Sequence, residues 1–400
     1  MLAIMSDIII RIMDQDEVQT LTRMLINYAF SPSPPLPTHE AWVHDMEIYG
    51  TDTPYVGVFE HGKVLACAGV TALTQNIRGH LYAGGGVGAV SVHPEARRRG
   101  IARSMIKYIF QHLYEHEIPT SQLSAFRESF YTRLGYTTFT LPRIARFSPV
   151  ALQPLLKKDL GGSVELLELA KNVQPYLDFL QQMQQKVHGM ALFAPTRSVK
   201  DRQSKHAWLA LARVEGRVVG AMTYKITNNK EDMKVDSFWY ENVQGRYLLL
   251  EWFARHIDHA NTIEIRLPSY ERPETWWPDL EIQLSSVAAD TPLLGRPIDI
   301  TRLSGMQSGP GQATIAIKDE YCPWNEGTYS FESNDGKLHI ERSTHTPDCT
   351  LSIQGLSGLI YGTHEPQSFA IREWGNPSPQ VQETLLNLFP PQEPYLFERF

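Results

Sequence analysis

The stretch Val87-Gly-Ala-Val-Ser-Val-His-Pro-Glu-Ala-Arg-Arg-Arg-Gly-Ile-Ala-Arg-Ser-Met-Ile106 decides the fold. Val87–Val92 reads as a strand, His93-Pro94 opens a turn, and the apolar spacing after Arg97-Arg98-Arg99-Gly100-Ile101-Ala102 predicts a helix over Ile101–Tyr114. The first amides of a helix have no intrahelical partner and lie at the positive end of its dipole, so a helix opened this way takes a phosphate. Gly100 and the small Ala102 let a ligand approach the backbone, and the arginines add charge for a polyanion. The spacing is neither G-x-x-x-x-G-K-[ST] nor G-x-G-x-x-G, yet strand, loop and helix together describe a pyrophosphate cradle. A solvated basic helix start would explain the arginines but not the order of the four parts. Gly84-Gly85-Gly86, just upstream, precedes no helix start and reads as a flexible connection.

Working outward, Ile8–Met13 reads as a strand, Asp14-Gln15-Asp16-Glu17 as a helix cap, and Leu21, Met24, Leu25 and Tyr28 as one face of a helix. The prolines of Ser31-Pro-Ser-Pro-Pro-Leu-Pro37 forbid helix, and a second helix is expected around Trp42. Tyr55–Glu60 and Val64–Leu73 flank a His61-Gly62 hairpin turn. The same order returns as Trp208–Val214, Glu215-Gly216 and Arg217–Lys225, followed by a helix over Arg246–His259, which predicts a tandem repeat of one αβ unit. Coincidence between two ordinary hairpins is the plain alternative. In the second copy Asn242-Val-Gln244 replaces the Arg run and bulky Tyr247 stands where a small residue is wanted. That copy therefore reads as degenerate, shaping the fold or a cavity. Trp276-Trp277 either lines a cavity or closes this second part.

Beyond Leu280 the pattern changes to strands at Ile298–Leu303, Gln312–Ile317, Gly327–Glu332 and Lys337–Glu341, with a helix expected over Cys349–Tyr361. Tyr395, Leu396, Phe397 and Phe400 are too apolar for a free tail, so the end of the chain is expected to be docked.

Composition narrows the function. At 400 residues, 42% hydrophobic and 20% charged, the chain is neither a stapled mini-protein, a disordered segment nor a fibre. A net charge of −7 tells against a dedicated nucleic-acid binder and suits small or cationic partners. Cys67, Cys322 and Cys349 form no C-x-x-C pair, so no disulfide framework or zinc site is indicated and a cytoplasmic location is expected. No signal peptide and no membrane span is expected. His256 and His259 lie three apart on a helix but lack accompanying ligands, so no metal is expected.

Arg97, Gly100 and Ala102 match R-x-x-G-x-[GA], and the chain here resembles the GNAT superfamily of N-acetyltransferases. The resemblance implies acetyl-CoA as cosubstrate, its pantetheine arm paired with the backbone of Val90, Ser91 and Val92 and its pyrophosphate held by Arg97 and the amides of Arg98, Arg99, Gly100, Ile101, Ala102 and Arg103. Downstream, Phe130-Tyr131-Thr-Arg-Leu-Gly-Tyr136 is similar to the Y-x-x-x-G-[FY] stretch of that superfamily, which implies that the Tyr131 phenol protonates the leaving sulfur. A phenol of pKa about 10 can protonate a thiolate of conjugate pKa about 8.5 at modest cost; a Tyr packed for structure is the alternative. Tyr28, Phe30 and Trp42 fall where acceptor sites of the superfamily are built, with core packing as the alternative.

The whole layout resembles the Eis (enhanced intracellular survival) type. It implies tandem GNAT folds, mixed α/β and α+β, over 1–148 and a degenerate 149–288, then a sterol-carrier-protein-like α+β domain over 289–400. It also implies a hexamer, direct transfer in a ternary complex, and a role as base for the terminal carboxylate of Phe400. A carboxyl of pKa about 3.5 lies roughly 9 kcal/mol below an ammonium near 10, so burial, a relaying water or proton loss after attack must assist. Aminoglycoside-like or polyamine-like amines are the implied acceptors. A peptide lysine acceptor, or a hydrophobic-ligand-binding protein with a vestigial cofactor site, are the alternatives.

Overall fold

The computed structural model describes residues 8–30, 33–227, 232–286 and 291–398. The chain divides into two compact units, Met1–Phe139 with His188–Arg197 and Thr291–Phe400, and Thr140–Val187 with Ser198–Asp290. Along the chain, β1 (Ile8–Ile12), α1 (Gln15–Phe30), α2 (His39–Tyr49), β2 (Tyr55–Glu60), β3 (Lys63–Ile77), β4 (His80–Val92), α3 (Ile101–Glu115), β5 (Thr120–Ser124), α4 (Glu128–Thr132) and β6 (Thr137–Thr138) open the first unit. The middle of the chain carries β7 (Arg143–Phe147), β8 (Ser163–Glu168), α5 (Val173–Gln184), β9 (Ala191–Phe193), α6 (Pro195–Gln203), β10 (Trp208–Val214), β11 (Arg217–Thr227), β12 (Asp232–Tyr240), α7 (Val243–Ala254), β13 (Thr262–Leu267) and β14 (Gln283–Ser286). β15 (Leu293–Pro297), β16 (Gln312–Lys318), β17 (Gly327–Asn334), β18 (Lys337–Arg342), β19 (Cys349–Ser352), α8 (Ile353–Tyr361) and α9 (Pro379–Leu388) complete it.

The first unit is built on a sheet of order β1-β2-β3-β4-β5-β15-β6, with β9 added on β3. β4 runs antiparallel to β3 along its length but parallel to β5 only where Gly84–Val87 face Thr120–Leu123. From Gly88 onward β4 leaves β5, opening a cleft in the sheet. The register slips at the same place: Gly69 faces Gly88 and Cys67 faces Ser91, so Ala89 and Val90 together stand opposite Ala68. Ala89 takes a positive φ of 52°, the mark of a bulge that re-aims the strand. α3 seals one face of the sheet through buried Ile101, Met105, Ile106, Ile109, Phe110 and Leu113, an i, i+4 stripe worth about 1.5–3 kcal/mol per fully buried side chain.

Gly84–Gly86 is strand rather than a flexible connection. A Cβ on Gly85 would come 2.5 Å from Leu113 Cδ2 of α3, and one on Gly84 2.5 Å from Leu73 Cδ1, so the glycines are there for close approach. The expected strand at Ile298–Leu303 is also displaced. The strand is Leu293–Pro297 and inserts between β5 and β6, while Ile300–Leu303 is a 3₁₀ turn whose Thr301 amide donates to Asp299 Oδ1 at 3.0 Å. Pro297 has no amide hydrogen to extend the ladder. Within Cys349–Tyr361 the first four residues form β19, parallel to β16, and helix begins only at Ile353.

A second sheet of the first unit, β18-β17-β16-β19, shares one core with the first: Ile315, Phe331, Leu351, Leu356 and Leu385 cluster with Leu73, Ile77 and Tyr82. The tail joins this core through buried Tyr395 and Leu396, and the Tyr395 amide donates to His188 O at 2.9 Å. Phe400 lies outside the described residues.

The second unit repeats the central wiring of the first. β10, β11 and β12 are antiparallel neighbours, α7 crosses over, and β13 returns parallel to β12. Again the parallel pair is short, Asp232–Val235 against Thr262–Ile265.

Candidate functional site

The cleft between β4 and β5 ends at the loop that enters α3. Gly88, Ala89 and Val90 are half-buried along it, and Ser91 is buried with its Oγ donating to Ala89 O at 3.0 Å. Val90 sits in the bulge, outside the paired register, and Val92 O accepts from Arg97 Nε at 3.4 Å. Arg98 has φ 63° and Gly100 φ 83°, so the loop turns twice through the left-handed region before the helix starts. A Cβ on Gly100 would meet nothing within 4 Å, leaving open space over the helix entry. α3 has no side-chain cap and no acidic residue in its first turn, so its leading amides face that space uncompensated. Arg97 lies over the Tyr28 ring at 5.6 Å, and Arg99 is engaged by Glu60 at 2.5 and 3.1 Å. An extended arm with a diphosphate at its end fits this place: a strand unpaired on its β5 side beyond Val87, then uncapped amides under a glycine.

The corresponding helix of the second unit is closed. Asn242 Oδ1 takes the amide of Gly245 at 2.9 Å, and a Cβ on Gly245 would lie 2.1 Å from Val219 O. The half of β12 beyond its β13 pairing is covered from within the unit: Trp276 stacks on Phe238 at 5.4 Å, and Tyr240 donates to Glu271 at 2.7 Å. Trp276-Trp277 thus closes this unit.

Tyr131 is 2% exposed on α4, edge-on to Phe130 at 5.0 Å and to Tyr136 at 6.1 Å. Burial pushes its phenol up to about 12. Its hydroxyl has no hydrogen-bond partner among the described residues, whereas Tyr136 is bonded to Ser121 Oγ at 2.7 Å. Beneath the turn that follows α4 lies a group the sequence reading did not single out: Arg296 of β15, paired at 2.6 Å with Asp319, both fully buried. A lone Arg in the apolar run Leu293-Leu-Gly-Arg-Pro297 was the available signal.

Tyr28 and Phe30 line a cavity of about 790 Å³ together with Met24, Leu36, His93 and Arg97. Trp42 does not reach it; the ring is 4% exposed and its Nε1 donates to Gln19 O at 3.1 Å. Arg103 lines a separate hollow of about 270 Å³ with Phe130, Arg133 and Tyr321. His256 Nδ1 is bonded to Trp252 O at 2.7 Å, and no group of three or more metal-ligating side chains occurs among the described residues. No helix there is long and apolar enough to cross a membrane.

Residues 9–139 match the family model of the acetyltransferase (GNAT) domain, and residues 301–397 that of the sterol carrier protein domain. Among solved structures the fold is shared with a GCN5-related N-acetyltransferase from Kribbella flavida, at TM-score 0.84 and 18% identity over 100% of each chain. A GCN5-related N-acetyltransferase from Anabaena variabilis has TM-score 0.83 and 15% identity over 98% of this chain and 100% of that one. Eis1 from Mycobacterium abscessus has TM-score 0.75 and 17% identity over 98% of this chain and 100% of its own. At these identities the likeness is one of fold. No curated protein matches the chain in sequence.

Proposed function

We propose that this chain, a GNAT-type N-acetyltransferase with a C-terminal sterol carrier protein domain, acetylates an amine of a small molecule from acetyl-CoA in a ternary complex. One observation carries the reading: the first unit has a helix entry with uncapped amides under Gly100 at the mouth of the β4–β5 cleft, and its counterpart in the second unit is capped by Asn242. Acetyl-CoA supplies an activated acetyl thioester when bound. Val90 to Val92 offer backbone groups to its arm, Arg97 and the amides from Arg98 to Arg103 hold the diphosphate, and Tyr131 holds the proton that the departing sulfur needs. The Phe400 carboxylate assists loss of the acceptor's proton.

Tyr28, Phe30 and Trp42 belong to the proposal as acceptor-side residues; Tyr28 and Phe30 line a cavity that also reaches Arg97. Aminoglycosides and polyamines are the proposed classes, in keeping with the net charge of −7. The domain division 1–148, 149–288 and 289–400, a hexameric assembly and a cytoplasmic location belong to the same proposal. Thiol release from acetyl-CoA, followed across an aminoglycoside, a polyamine and a lysine peptide, tests it. Release with the peptide alone would move the reading to a protein acetyltransferase. Tight binding of a fatty acyl ligand with no release from any amine would replace it with a hydrophobe carrier.

A further inference from the structure

α4 is only five residues long, Glu128–Thr132, and the turn after it closes on the helix end, with Leu134 N donating to Tyr131 O at 2.9 Å and Gly135 N to Thr132 O at 3.0 Å. Carbonyls of this turn also take side-chain donors from the part of the chain after residue 290. Gln354 Nε2 donates to Thr132 O at 3.1 Å, Arg296 Nη1 donates to Leu134 O, and Ser357 Oγ donates to Gly135 O at 2.8 Å. Three carbonyls within four residues are thus held by β15 and α8. Gly135 has φ 96°, and a Cβ there would come 2.6 Å from Arg296 Nη1 and 2.8 Å from Ile353 Cγ2, so the turn is seated directly on these two side chains.

The Arg296 guanidinium is itself fixed on every side. Asp319 Oδ2 accepts from Nη2 at 2.6 Å, Pro297 O from Nε at 3.0 Å, and the Phe110 ring of α3 lies 4.4 Å away. Asp319 is held in turn by the amides of Tyr321 and Cys322 and by Asn325 Nδ2 at 3.0 Å.

We infer that Arg296, with Gln354 and Ser357, is a positioning residue for Tyr131: the sterol carrier protein part of this chain, with the strand that leads into it, serves as the rigid seat of the turn that aims the phenol. The inference rests on the reading of Tyr131 as the acid. It gives the C-terminal part a role in acyl transfer that requires no lipid ligand.

The test uses the full-length protein and two variants, Arg296→Lys, which keeps a cation for Asp319 but loses the fork that reaches Leu134 O, and Gln354→Ala/Ser357→Ala, which leaves the buried ion pair intact. Each is made alone and together with Tyr131→Phe. Amide exchange over 131–136 should quicken by about 10-fold or more beyond any change in the other protected amides of the unit. With the fastest amine acceptor, kcat should fall by about 10-fold while KM for acetyl-CoA stays within about twofold. In the Tyr131→Phe background the same changes should cost nothing further, because nothing is left to aim. Unchanged exchange over 131–136 overturns the inference whether or not an acceptor is known. Equal losses of kcat in both backgrounds also overturn it and leave the acid role of Tyr131 standing. Tyr131→Phe with undiminished turnover removes the acid role, and the inference with it.

Discussion

The phenol of Tyr131 should be a weaker acid than an ordinary tyrosine, and that sets the shape of the pH–rate profile. Burial raises it to about 12, whereas the departing thiolate has a conjugate pKa near 8.5. A full transfer between them is uphill by about 3.5 units, or about 5 kcal/mol, against about 2 kcal/mol for an unperturbed phenol. The proton therefore moves as charge develops on sulfur rather than after the bond has broken. Because the phenol stays protonated to pH about 12, kcat should rise with pH as the acceptor ammonium loses its proton and then stay level, with no falling limb below pH about 11. Tyr131→Phe should lower kcat by about 10²-fold at every pH and leave KM for acetyl-CoA unchanged. The assay is initial thiol release from pH 6 to about 10.5 at saturating acetyl-CoA, with both proteins checked for folding by circular dichroism at the extremes. A falling limb with a midpoint below pH about 10 that disappears in Tyr131→Phe would refute the burial argument. Identical profiles would refute the role itself.

Other consequences are simpler to check. Gly100→Ala meets no atom within 4 Å but must adopt φ 83°, so thermal stability should drop by roughly 1 kcal/mol and KM for acetyl-CoA should rise as the loop relaxes; an unchanged KM would separate Gly100 from the cofactor. His188 accepts from the Arg78 amide at 3.0 Å and donates to Tyr361 O at 3.0 Å, and burial pushes its pKa down to about 3. It is therefore neutral in the native state, and its contribution to stability is full above pH about 6.5 and is lost as pH falls from there towards about 3. Urea midpoints at pH 7 and pH 4.5 should drop further in the wild type than in His188→Gln, and parallel drops would exclude this histidine from acid unfolding. Leu396→Ala should cost about 2–5 kcal/mol because its side chain is 2% exposed in the shared core; a loss under about 1 kcal/mol would mean the tail is not seated. One residue added after Phe400 should slow the reaction without moving the thermal midpoint, and full activity would remove the carboxylate from the chemistry.

The elements that could be read from the sequence are those whose signals are local. β2 and β10 coincide with the expected Tyr55–Glu60 and Trp208–Val214, because each pairs with its sequence neighbour across a turn that its own residues specify. The strand, glycine loop and helix of 87–106 were legible for the same reason: they are contiguous. What could not be read depends on distant partners. Gly84–Gly86 looks flexible until Leu113 and Leu73 are brought against it. Cys349–Ser352 joins the helical pattern after it until β16, more than thirty residues away, offers a parallel edge. Trp42 looks like a cavity wall because nothing in its neighbourhood shows that the Gln19 carbonyl will take its indole. Arg296 stands out locally as a lone Arg in an apolar run, but the turn it supports lies about 160 positions earlier, so its partner could not be read.

The two units share a topology but differ at the helix entry. Both have the antiparallel trio, the helical crossover and the short parallel pair that splays. The difference lies in what meets the helix entry. In the first unit Gly100 leaves the amides of α3 without a side-chain partner; in the second Asn242 supplies that partner, and the backbone of β11 closes on Gly245. A capped helix is more stable by about 1 kcal/mol than one ending in unpaired donors, so a copy relieved of binding an anion gains by acquiring a cap, whereas a copy that binds one must leave the donors free. Asn242→Gly should therefore lower the stability of the second unit by a few tenths of a kcal/mol without creating a second cofactor site. Val219 O still occupies the space above Gly245, and Trp276 still lies on the half of β12 that an extended ligand would need. Calorimetric titration with acetyl-CoA should give one site per chain before and after the change; a second site in the variant would mean that the cap alone keeps the repeat silent.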